Sequence, residues 1–130
     1  MSKYIFKNAA THLPEDCRPS GEILATLGDK WTVAVLGNLS KGRVRFSELE
    51  NLVEGISQRM LTLTLRSLVR DGLVARRVAP TVPPRVDYEL TERAQGLLEP
   101  LSLLHVWATG NMAGITESRR LFDAEESESA

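Results

Sequence analysis

The sequence predicts a mainly α-helical domain that carries a small β wing, and three stretches support that expectation. Residues 30–40 are apolar on nearly every side, as a central core helix must be. Residues 47–71 read as a short capped helix, a glycine turn and a longer helix. Residues 73–90 read as two short strands joined by a proline-stiffened loop.

A chain of 130 residues supports one domain with a modest core, too small for a catalytic and a regulatory domain together. No apolar run approaches the roughly 20 residues of a membrane span, and Met1 to Asn8 lack the apolar core of a signal peptide. The single cysteine leaves no internal disulfide, which points to the cytoplasm and to no membrane partner. Net charge is −1, but it is segregated. From Lys41 to Arg93 ten Lys/Arg face seven Asp/Glu, a net +3; from Glu117 onward two arginines face five acids, a net −3. Local positive charge, more than the total, decides whether a surface displaces counterions from nucleic acid.

In chain order, residues 1–19 read as an irregular polar arm punctuated by Pro14 and Pro19. A first helix spans roughly 20–27, with Ile23, Leu24 and Leu27 apolar and Gly28 closing it. Asp29 caps the helix at 30–40, whose Trp31, Val33, Ala34, Val35, Leu36 and Leu39 form the core's centre. Trp31 is read as a core residue rather than a ligand platform. Lys41-Gly42-Arg43 turns the chain toward a short edge strand at Val44 and Phe46. Ser47-Glu48-Leu49-Glu50 then has the form of a capping box, opening a helix to about Val53 whose apolar side is Leu49, Leu52 and Val53. Glu54-Gly55 leads to the next helix.

That helix has both ends written into it. Ser57 accepts hydrogen bonds from free amides, Ile56 and Leu61 close as a staple, and Gly72 supplies the left-handed stop with Leu73 folding back on Leu68. At about 100° per residue, Leu61, Leu65 and Leu68 share one side, with Met60 and Thr64 at its margins. Arg59, Thr62, Leu63, Arg66 and Arg70 share the other. Arginine can grip a guanine edge through two hydrogen bonds, and threonine can meet a phosphate or a thymine methyl. The same face could also be a solvated charged surface.

Leu73 to Val78 and Val86 to Leu90 follow as strands around the loop from Ala79 to Arg85, with its three prolines. Arg76 and Arg77 bring charge to a phosphate backbone or keep an edge soluble; Pro84 and Arg85 at the tip point to a minor groove. Thr91 caps a last helical segment at roughly 92–112, kinked or broken at Pro100. Leu97, Leu101, Leu104 and Trp107 give it more apolar surface than a small domain covers, which suggests pairing with a twin. His105 among them is read as a packing or interface residue. Residues 116–130 are read as an acidic disordered tail after a domain at 20–115.

These elements make a winged helix-turn-helix, and their motifs resemble those of a known family. Gly28-Asp29-Lys30-Trp31-Thr32, Arg45-Phe46-Ser47-Glu48-Leu49, Gly55-Ile56-Ser57-Gln58-Arg59-Met60-Leu61-Thr62, and Val82-Pro83-Pro84-Arg85-Val86 with Tyr88-Glu89-Leu90-Thr91 are similar to those of the HxlR-type regulators, over roughly residues 17–110. The resemblance implies a dimeric bacterial transcription factor of the wider MarR-like group, joined through its terminal helices, with the helix at 57–71 in the major groove. Two positions depart from the family, which often has glutamines at Leu63 and Thr64 and tyrosine at Ala79. Leu63 would then make an apolar contact, to a thymine methyl. The family frequently places a cysteine just before its first helix, and some members sense oxidants, quinones or aldehydes with it. Cys17 matches that position apart from the intervening Arg18. Arg18 and the helix start would lower its pKa, whereas Glu15 and Asp16 oppose that.

The expected function is therefore a regulator that binds double-stranded DNA as a homodimer at a pseudo-palindromic operator. Ser57, Gln58, Arg59, Thr62, Leu63 and Arg66 would read the major groove, and Lys41, Arg43, Arg76, Arg77, Pro84 and Arg85 would meet the backbone or minor groove. Cys17 is the candidate sensing thiol. No cofactor or metal is expected, and no glycine-rich phosphate loop, metal-spaced Cys/His cluster or paired nucleophile and base suggests an enzyme. The competing reading is a winged-helix module that binds protein and no DNA.

Overall fold

A computed structural model describes residues 18–129, so Cys17 and His12 lie outside the described residues. The elements run α1 (Arg18–Leu27), α2 (Lys30–Leu39), β1 (Val44–Arg45), α3 (Phe46–Leu52), α4 (Gln58–Arg70), β2 (Val74–Ala79), β3 (Arg85–Leu90), α5 (Glu92–Gln95) and α6 (Leu98–Ser129). The three strands form one antiparallel sheet in the order β1-β3-β2. β2 and β3 pair along their whole length, Val74 opposite Leu90 and Ala79 opposite Arg85. β1 adds Val44 opposite Tyr88 and Arg45 opposite Asp87.

The core is built as the periodicity requires. Val35, Leu36 and Leu39 of α2 meet Leu49, Val53, Leu61, Leu65 and Leu68, with Val74, Tyr88 and Leu90 closing the cluster from the sheet. Burying each leucine contributes about 2 kcal/mol. Asp29 accepts from the Trp31 and Thr32 amides, 3.1 Å each, which starts α2 where the sequence predicts. Trp31 packs on this core, and Lys30 lies over its ring at 4.7 Å.

Several details differ from the sequence expectation. Leu24, Val33 and Leu52 are exposed rather than in the core. The strand at 44–46 ends at Arg45, and Phe46 already belongs to α3. Pairing with β3 therefore brings the helix start two residues forward. The cap is Arg45, whose backbone N–H donates to Glu48 Oε1 at 3.3 Å, instead of Ser47 with Glu50.

The C-terminal segment differs most. It breaks at Gly96 and Leu97, ahead of Pro100, which occupies the first turn of α6. An amide there has no partner within the helix, so a proline is tolerated and no kink results. The tail expected to be disordered continues α6 to Ser129. No glycine or proline follows Gly114, and Arg120 donates to Glu117 one turn away at 2.7 and 3.0 Å, both of which favour helix. No helix among the described residues is long and apolar enough to cross a membrane.

Candidate nucleic-acid interface

α3, the turn at Gly55 and α4 set the geometry of the interface. Gly55 takes φ of +85°, which lets the chain reverse between the two helices, and the Ile56 amide donates to Val53 O at 3.2 Å. Ser57 Oγ then accepts from the Met60 amide at 3.0 Å and opens α4. At the other end the Leu73 amide donates to Leu68 O at 2.9 Å and the Gly72 amide to Val69 O at 3.0 Å, the paired bonds of a Schellman stop.

The stop is locked from outside. Thr91 Oγ1 donates to Gly72 O at 2.7 Å, and the Thr91 amide donates to Leu73 O at 3.0 Å. Gly72 has φ of +73°, and a Cβ on it would lie 2.7 Å from Arg93 Nη1. The left-handed conformation is what favours glycine, and the nearby guanidinium cation suits a helix C-terminus. The chain after the wing thus clasps the base of α4.

Between these ends the two faces of α4 separate. Leu61, Leu65 and Leu68 are at most 1% exposed, with Thr64 buried beside them. Arg59, Thr62, Leu63 and Arg66 are exposed away from them, Leu63 at 48%, and Gln58 is exposed at the leading end. Gln58, Arg59, Thr62 and Leu63 line one open cleft of about 430 Å3. A second cleft of about 190 Å3 runs between Thr62, Arg66 and Val69 of α4 and Arg76 and Tyr88 of the sheet. Ser57 is the exception among the predicted groove residues, because its side chain is engaged as the cap.

The predicted backbone and wing residues divide into two groups. Lys41 is exposed in its turn, Pro84 lies in the wing loop, and Arg76 shares the cleft with Arg66. Arg43, Arg77 and Arg85 are each ion-paired within the chain. Arg77 Nε lies 2.7 Å from Glu89 Oε1, and Arg43 Nη2 lies 3.6 Å from Glu89 Oε2. Arg85 Nε donates to both oxygens of Asp87 at 3.1 and 3.2 Å. Arg85 is therefore the first residue of β3, held back on its own strand, and not the free tip that the sequence suggested. Asp87, only 6% exposed, escaped the sequence reading. Its alternation with Arg85 and Glu89 along one strand face was the available signal.

The residues predicted for dimer contact also divide. Leu97 and Leu101 pack partly buried on the chain's own core. Leu104 and Trp107 are exposed, 65% and 60%. Among the described residues no cluster of His, Cys, Asp and Glu could hold a metal ion.

Comparison with known proteins agrees with this geometry. Residues 26–115 match the family described as HxlR-like helix-turn-helix. An uncharacterized HTH-type transcriptional regulator of Methanothermobacter thermautotrophicus is 47% identical over 88 residues, 68% of this chain and 66% of that relative. Among solved structures, the redox regulator HypR in its reduced form superposes with a TM-score of 0.70 at 35% identity, covering 76% of this chain and 98% of that one. The reduced form of the transcriptional regulator YodB from B. subtilis gives a TM-score of 0.65 at 32% identity, covering 71% and 90%.

Proposed function

The chain belongs to the HxlR-like helix-turn-helix family of DNA-binding transcriptional regulators, and we propose that it reads its operator with the outer face of α4, as a symmetric dimer. The observation that carries this reading is the row Arg59, Thr62, Leu63 and Arg66, exposed on α4 away from its buried leucines, with Gln58 exposed at its leading end. Arg59 and Arg66 supply guanidinium forks for guanine edges, Thr62 a hydroxyl and methyl, and Leu63 an apolar contact for thymine. Arg76 and Lys41 belong to none of the ion pairs described above and take phosphates. The protein-binding alternative is set aside, because the family and the relatives are regulators of transcription.

Exposed Leu24 of α1 and Leu103, Leu104, Val106 and Trp107 of α6 are the surface that a second copy would cover. A two-fold dimer places two copies of α4 on half-sites one or more helical turns apart, about 34 Å per turn. Cys17 is the sensing residue in this proposal, supported by the likeness to a structure described as a redox regulator. With one cysteine per chain, oxidation would link two subunits or cap the thiol with a small molecule.

The test is selection of bound duplexes from a random pool by the purified protein, with and without diamide. A palindromic sequence should be enriched, and oxidised protein should enrich it less. Arg59→Ala should lose about 1–3 kcal/mol on the enriched sequence and blur one base position. An equal loss on every sequence would move Arg59 to the phosphates.

A further inference from the structure

The outer face of the sheet is a lattice of arginines on two carboxylates. Register puts Arg45 of β1 and Arg77 of β2 on either side of Asp87, and the pleat brings Arg85 and Glu89 to the same face. Asp87 is buried although that face is the one turned away from the hydrophobic core. A carboxylate removed from water must be paired and hydrogen-bonded. Its hydrogen bonds come from Arg85, both through Nε. Glu89 likewise takes Arg77 through Nε and adds Arg43 from the turn before β1.

The inner guanidinium nitrogen is thus committed to the protein at two places. The terminal nitrogens are the ones that reach furthest, and they meet phosphates or groove acceptors. An arginine held by Nε loses less side-chain freedom when it binds than a free one.

We propose that Asp87 is a positioning residue for DNA binding, gripping Arg85 at the root of the wing so that its terminal nitrogens are aimed before DNA arrives. Glu89 does the same for Arg77, while Arg43 meets it through a terminal nitrogen. This rests on the reading that α4 engages DNA and extends that reading to the ion-paired arginines of the wing. It makes a prediction of unusual sign. By charge alone, removing an acid beside a polyanion tightens binding to every sequence. By positioning, removing Asp87 weakens binding to the preferred sequence.

Fluorescence anisotropy across a salt series would compare the duplex enriched by the wild-type protein with a scrambled duplex of equal length. The proteins are wild type, Asp87→Asn, Arg85→Ala, Arg85→Lys and the Arg85→Ala/Asp87→Asn double variant, each with a thermal melt. Asp87→Asn should lose about tenfold on the enriched duplex despite its added positive charge, and lose less on the scrambled one. Arg85→Lys keeps the charge without Nε and should lose as much, which covers the case in which the amide disturbs the hairpin. The double variant should lose no more than Arg85→Ala alone, whereas a merely structural Asp87 would add its own loss. Binding by Asp87→Asn that is unchanged or tighter, additive losses, or an inert Arg85→Ala would each overturn the assignment. Failure of the wild type to enrich any sequence would instead sink the DNA reading beneath it.

Discussion

Glu89 shows how much one side chain can hold. The hydrogen bond from Arg77 lowers its pKa below the ordinary glutamate value, opposed by partial burial and aided by the charges of Arg43 and Arg77. A carboxylate whose folded pKa is depressed contributes all of its stabilisation above the unfolded value and loses it as pH falls through the folded one. The affected window therefore begins near the ordinary value, about 4.3, and extends to more acid pH. Thermal melts taken down this range should show a falling midpoint. Glu89→Gln, which cannot titrate, should show a shallower fall across the same window. Parallel curves for the two proteins would remove the two ion pairs from any role in acid stability.

At the scale of elements, α4 depends on its terminal clasp. Gly72→Ala forces a side chain onto a φ of +73° and toward Arg93. It should lower unfolding free energy by about 1–2 kcal/mol, read as a shifted denaturant midpoint at unchanged slope. The Ser57 cap and the Gly72 stop were legible in the sequence because they are local: a cap and a stop are fixed within a few residues of the helix they end. The buried stripe was legible for the same reason, since 3.6-residue periodicity needs no knowledge of the partner. What escaped depends on distant chain. Arg45 rather than Ser47 begins α3 because Val44 and Arg45 pair with a strand more than forty residues later. Arg43 and Glu89 meet only once that sheet exists. That Leu97 and Leu101 also pack on the chain's own core was not legible, because nothing local says that the core reaches them. The last segment breaks at Gly96 and Leu97, and the proline falls in the first turn of α6.

For the whole molecule, the proposed dimer rests on the exposed apolar side chains of α6. Leu104→Glu with Trp107→Glu should convert a dimer to a monomer in sedimentation velocity while leaving the far-UV helix signal in place, since both residues are exposed on the single chain. Operator binding should fall with it, because each α4 would then hold one half-site alone. The clasp of Thr91 on Gly72 adds a mechanical consequence. The segment that leads into α6 grips α4 at its Gly72 end, while Leu61 seats the leading turn on the core. Thirteen residues of helix make an arm about 20 Å long at 1.5 Å per residue. A rotation of about 10° about the Gly72 end would carry the far end about 3.5 Å, more than the length of a hydrogen bond. In the proposed dimer, a twist of α6 against its twin would reach the leading turn of α4 through that clasp.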